Sequence, residues 1–402
     1  MPLLDRRSLL QLLPAALLAL RGRGRAAREG DRGRPRMLGV RIGKMPTGRW
    51  NAITDVPGVA VGQATIVRGN GRLVVGEGPV RTGVTVIVPG EGVGAGFFPC
   101  GVSVPNGNGE LTGLAQARTL GVLGTPIALT NTSSIGAVYA ALAKRFDAGA
   151  EGSLEPVVGE TWDGFLNDIE GRHVREEHVL AAVASARSGP VEEGAVGGGT
   201  GMVCYGFKGG IGTASRRLPA PLGTYTLGCL VQANHGVRDQ LRIDGVPVGE
   251  EITDLRPSPD EASWGNSILM VLATDAPLLD HQLKRLAARA VHGLAKTGSI
   301  SHNGSGDFAL AFSTARRIPR DAFWAGDGYT LSSIEQFDLD PLLQAAAEAT
   351  EESIVNALFA AVDTTGRDGH TVHALPVDRA LAILERHHRL FPTEAEPTHA
   401  RS

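Results

Sequence analysis

The chain has 402 residues, of which 42% are hydrophobic and 20% charged, with a net charge of −3. This is a soluble globular composition, long enough for one large α/β domain or two smaller ones, and it lacks the basic excess of a general nucleic-acid binder. The cysteines Cys100, Cys204 and Cys229 are odd in number and widely spaced, so they supply neither a disulfide framework nor a metal motif.

Residues 1–36 read as an export signal and linker. Arg6-Arg7 precedes an apolar run through Leu20, which resembles a twin-arginine signal and is short for a membrane span. Such a leader implies a periplasmic or secreted protein with no membrane attachment after its removal; a mis-assigned start would leave the protein cytoplasmic. Arg21 to Arg36, rich in Arg and Gly, reads as a flexible connector.

The folded part then begins. Ile53–Val59 and Gly83–Pro89 are strand-like runs closed by Pro and Gly. Gly90–Gly96 lacks the Lys-Ser/Thr of a phosphate-binding loop and reads as a glycine-rich surface turn. Gly121–Thr130 reads as a strand, followed by a helix from Ser133 to Phe146 with its cap in Asn131–Ser134. Pro156–Asp168 runs from an apolar strand into a polar turn and carries Glu160 and Trp162. Val174–Ala186 is a helix stopped by Gly189-Pro190. Gly197–Met202 precedes a strand at Val203–Phe207. A second glycine turn at Gly209–Gly212 follows instead of a helix, so a dinucleotide loop is set aside. Thr224–Ala233 is a strand ending at Asn234, and Val237–Ser263 reads as a mobile polar connector.

Ser267 then opens an unbroken apolar run, Ile268–Ala273, closed by Thr274-Asp275-Ala276-Pro277. Such a run reads as a strand buried on both faces. Helices are predicted at Leu278–Lys296, Pro341–Val362 (with Asp340 as cap) and Asp378–His387. Between the first two lie the polar turn Ile300–Asp307 and the strand Phe308–Phe312. Strands on both sides of Ser267 are compatible with two sheets covered by helices, and equally with a doubly wound parallel sheet. The histidines are scattered and none forms His-Glu-x-x-His, so no metal site is expected.

A serine at the mouth of a buried strand is most often a turn residue. It becomes a nucleophile if a base takes its proton. A free α-amine, with a pKa near ~8, can do this when the serine is the first residue of a chain.

The phrase from Asn266 through Leu279, with His281–Leu286, resembles the start of the small subunit of DmpA-type aminopeptidases: L-aminopeptidase/D-amino-acid esterases and β-peptidyl aminopeptidases. Thr54–Val59, the Glu160 segment and Thr364–Gly369 are similar to other phrases of that family, and the likeness spans about residues 37–390. The resemblance implies a four-layer α-β-β-α sandwich in which a large subunit (37–266) and a small subunit (267–402) form one domain. It implies self-cleavage between Asn266 and Ser267, with Ser267 as nucleophile and Asn234 as oxyanion donor. Ser305 and Asp307 would support the nucleophile; β-peptidyl aminopeptidases typically have glutamate at the latter position, so Asp307 is one methylene shorter. Glu160 would receive the substrate's ammonium group. Trp162 stands where some members have tyrosine and, lacking the hydroxyl, would wall the pocket. No cofactor is implied. The expected substrates are small peptides, amino-acid amides or esters, and the expected assembly is a homo-oligomer of processed heterodimers. An acyltransferase of the ornithine-acetyltransferase kind, which generally uses threonine at the cut, and a non-catalytic ligand-binding protein are the alternatives.

Overall fold

The computed structural model describes residues 33–146, 155–219, 223–257, 267–324 and 328–392. Residues 33–402 group as one compact unit. In chain order its strands are β1 (Ala60–Arg68), β2 (Val80–Val88), β3 (Gly96–Gly107), β4 (Val122–Leu123), β5 (Ile127–Asn131), β6 (Val157–Thr161) and β7 (Val203–Cys204). They continue as β8 (Phe207–Lys208), β9 (Gly210–Arg217), β10 (Thr226–Asn234), β11 (Ser267–Thr274), β12 (Gly306–Ser313) and β13 (Ile318–Pro319). The sheets are covered by helices that include α1 (Ile135–Phe146), α2 (Glu176–Ser185), α3 (Asp280–Lys296) and α4 (Asp340–Ala360).

Of the two large sheets, one has the order β1-β2-β5-β6 and the other runs β13-β3-β12-β11-β10-β9 with β4 paired to β3; β7 and β8 form a separate small hairpin. Alternation along β11 shows how they stack. Leu269, Val271 and Ala273 enter the core between the sheets, where they meet Ile127 and Leu129 of β5. Ile268, Met270 and Leu272 point the other way, into a core completed by Leu283 and Leu286 of α3 and Ile354 and Leu358 of α4. On the far side, Val84 and Val86 of β2 pack with Val138 and Leu142 of α1 and Val179 of α2. The layers are therefore helix, sheet, sheet, helix. A strand between two apolar cores must be apolar at every position, which explains the unbroken run after Ser267.

Several expected elements differ. Ile53–Asp55 is a short 3₁₀ turn and not a strand, because the Asp55 carboxylate accepts the backbone N–H groups of Trp50 and Ala52 and closes the chain there. Val203–Phe207 is a hairpin that turns through Tyr205 and Gly206, both at positive φ. Gly210–Gly212 opens strand β9 where a glycine turn was expected. The glycine is needed for close packing: a Cβ on Gly212 would lie 1.9 Å from the Ser353 carbonyl oxygen of α4. Residues 237–257 are not a loose connector, since Leu241, Ile243, Val246, Val248 and Ile252 are buried; residues 258–263 lie outside the described residues. Asp340 is the first residue of α4, so the cap position falls on Leu339, which makes no side-chain cap bond. Arg34 and Arg36, placed in the connector from sequence, are tied to Glu193 and Glu352 by ion pairs.

Candidate active site

The site forms where β10, β11 and β12 lie side by side. Antiparallel pairing sets Asn234, the last residue of β10, directly opposite Ser267, the first of β11. Parallel pairing sets Asp307 beside Ile268. Three of the expected residues thus meet at one end of the sheet through strand register alone. Asp307 lies within β12, although the sequence reading ended its turn there. Asn266, and with it the expected cut, lies outside the described residues.

Ser267 is half-buried, and its Oγ accepts the backbone N–H of Gly306 at 3.0 Å. Asn234 is buried, with each end of its amide held. Oδ1 accepts the Val203 N–H at 2.8 Å, and Nδ2 donates to the Trp162 carbonyl at 3.0 Å. The amide is therefore oriented, with a second Nδ2 hydrogen remaining as a donor. The Ser305 hydroxyl donates to Asp307 Oδ1. Asp307 Oδ2 is buried with no hydrogen-bond partner. Burial pushes the Asp307 carboxyl above the usual range, opposed first by the Ser305 hydroxyl and then by the nearby Ser301 hydroxyl and Ile268 N–H.

Glu160 comes from β6 in the other sheet. Its Oε1 accepts the Glu110 N–H at 3.1 Å, and Oε2 accepts from the Thr132 hydroxyl. Burial raises its carboxyl too, opposed by those same hydrogen bonds. Gly109 brings it close to the nucleophile's strand end: a Cβ there would lie 2.9 Å from Glu160 Oε1 and 3.2 Å from Gly306 Cα. Asn106 and Asn108, flanking that passage, donate to carbonyls of residues 302–305 and hold the two loops together. The Trp162 ring packs against a small cluster of Phe165, Leu166, Val203 and Val372, while its carbonyl serves Asn234.

His235, next after Asn234, is buried, and burial pulls it down to about 3. A neutral imidazole of that kind is a poor general base at neutral pH. The Gly306 N–H, the Gly109 passage and the Trp162 carbonyl were not found from sequence, because backbone groups have no residue signature.

Residues 51–372 match the model of peptidase family S58. The beta-peptidyl aminopeptidase BapA of Sphingosinicella microcystinivorans is 43% identical over 391 residues, covering 94% of this chain and 98% of the relative. The solved beta-aminopeptidase of Burkholderia sp. is 48% identical, with a TM-score of 0.82, and the match covers 88% of this chain and 99% of that one. The L-aminopeptidase D-Ala-esterase/amidase of Ochrobactrum anthropi, described as a prototype for the serine aminopeptidases and a variant of the Ntn hydrolase fold, is 41% identical. Its TM-score is 0.82, with 89% of this chain and 99% of that one covered. The α-β-β-α layering agrees with that fold, and the chain belongs to peptidase family S58 and is a serine aminopeptidase.

Proposed function

We propose that the chain cuts itself between Asn266 and Ser267 and that the freed Ser267 is the nucleophile of an aminopeptidase acting on N-terminal β-amino residues. The observation that carries the site assignment is the register that faces Ser267 with Asn234, beside Asp307. The names of two relatives, beta-peptidyl aminopeptidase and beta-aminopeptidase, support the substrate class.

In self-cleavage, Ser267 Oγ attacks the Asn266 carbonyl carbon, the acyl group moves from nitrogen to oxygen, and water hydrolyses the ester. The new α-amine then takes the Ser267 hydroxyl proton as Oγ attacks the first carbonyl of the substrate. Negative charge develops on the carbonyl oxygen and is met by the remaining Asn234 Nδ2 hydrogen. The ammonium returns its proton to the leaving amine, and an acyl-enzyme ester remains. Water, deprotonated by the same amine, releases the acid. Asp307, with an unpartnered oxygen and a hydrogen-bonded Ser305, orients the amine through its protonation cycle. Glu160 pairs with the substrate's own ammonium.

Aminoacyl p-nitroanilides carrying β-alanyl, L-alanyl and D-alanyl groups test the substrate class. The β-alanyl compound should have the highest kcat/KM; a preference for either α-residue would refute the β assignment and favour an activity like that of the Ochrobactrum relative. The Arg6-Arg7 leader supports export, which cell fractionation of the full chain tests directly.

A further inference from the structure

Lys208 is wholly buried, and its ammonium donates to three backbone carbonyls: Gly199 at 3.1 Å, Met202 at 2.8 Å and Gly209 at 2.9 Å. The segment it holds threads between the two sheets, with no room for a side chain at Gly198 or Gly201. A Cβ on Gly198 would lie 2.1 Å from Gln232 Oε1, and one on Gly201 would lie 2.3 Å from the Arg81 carbonyl oxygen.

Two of these carbonyls do not depend on the lysine. Gly199 O also accepts the Met202 N–H at 3.3 Å, and Met202 O also accepts the Gly209 N–H at 3.0 Å. Burial meanwhile pulls the lysine down to about 7, with Cys204 and Asp163 pulling it back up. Burying an ammonium is costly, and here the fold gains few hydrogen bonds it would otherwise lack.

The gain is at Asn234. The Met202 carbonyl and the Val203 N–H are the two ends of one peptide group. Lys208 Nζ donates to its oxygen, and its N–H donates to Asn234 Oδ1 at 2.8 Å. A charge-assisted bond on a carbonyl makes the N–H of that same peptide a stronger donor, and a polarised side-chain amide passes the effect to its own N–H groups. The relay runs from the ammonium through a peptide plane and the Asn234 amide to the place where the oxyanion forms.

We propose that Lys208 is a positioning residue for the reaction, orienting and polarising the Asn234 amide through the Met202–Val203 peptide. This rests on the reading of Asn234 as the oxyanion donor. The test is a double-mutant cycle of Lys208→Met and Asn234→Ala in the full chain, reading kcat and KM of the processed enzyme with a β-aminoacyl p-nitroanilide. Where slow processing limits the yield of mature enzyme, its half-time on a denaturing gel replaces turnover in the same cycle. Asn234→Ala should lose about 10²–10³-fold in kcat. Lys208→Met should lose roughly tenfold or more in kcat with KM nearly unchanged, and the double variant should be no slower than Asn234→Ala, since residues acting as a unit are non-additive. Multiplicative losses, an unchanged Lys208→Met, or a Lys208→Met protein without a cooperative melt would each overturn the proposal. An Asn234→Ala enzyme with full turnover would instead remove the oxyanion reading on which it rests.

Discussion

Glu160→Gln is the substitution that separates amine recognition from the rest of the site. The change is isosteric, and the glutamine carbonyl can keep the Glu110 N–H bond now made at 3.1 Å. Its NH₂ can donate to the Thr132 hydroxyl, which would turn from donor to acceptor. The fold should therefore tolerate the variant. What disappears is the negative charge. A hydrogen bond to a charged group contributes roughly 1.5–3 kcal/mol, which corresponds to about a ten- to hundredfold loss in kcat/KM for substrates with a free amine. The wild-type enzyme should also lose this recognition on the acid side at a higher pH than an ordinary carboxylate would dictate. Burial raises Glu160, and protonation removes the charge the ammonium needs. Self-cleavage should proceed unimpaired, because the uncut chain presents no ammonium there. The assay is steady-state kinetics on aminoacyl p-nitroanilides, with processing followed on a gel. Unchanged kinetics, or an equal loss in processing, would refute the assignment.

Three further outcomes follow from the geometry. Ser305→Ala and Asp307→Asn should each lower turnover at least ~10-fold, with the double variant little worse than the poorer single one; multiplicative losses in the processed enzymes would separate the two residues. In the uncleaved Ser267→Ala background, Asp307→Asn should raise the melting temperature at neutral pH, because burial disfavours the ionised Asp307 carboxyl more than its hydrogen bonds favour it. Below about pH 4, near the unfolded aspartate value, the carboxyl is protonated folded and unfolded, so this advantage should vanish; melts across pH that show the opposite slope would contradict it. Gly212→Ala places a Cβ 1.9 Å from the Ser353 carbonyl oxygen and should destabilise by roughly 1–3 kcal/mol or more in denaturant unfolding; a neutral effect would mean β9 and α4 can part freely.

The parts of the fold legible in sequence were those whose cause is local or periodic. The apolar run after Ser267 signalled a strand covered on both sides, and Asn131 capped the helix turn by accepting the Ser134 N–H at 2.9 Å. What failed was set by distant partners. Gly209–Gly212 looks like a turn until α4 is placed against Gly212. The polar stretch from Val237 looks loose until Arg238 is seen donating to the carbonyls of Tyr205, Gly206, Ile252, Asp254 and Leu255. At the site, strand register brings Ser267, Asn234 and Asp307 together, and the Ser305 hydroxyl reaches Asp307 through its own hydrogen bond. The Gly306 N–H and the Lys208 relay were hidden because they work through backbone atoms.

Ser267 is proposed to be both nucleophile and chain start, and N-terminal sequencing of the purified protein is the decisive measurement. Two chains are expected on a denaturing gel, the smaller beginning Ser-Ile-Leu-Met. Ser267→Ala should give one chain and no hydrolysis. An intact wild-type chain with full activity, or a small chain with a different first residue, would contradict it.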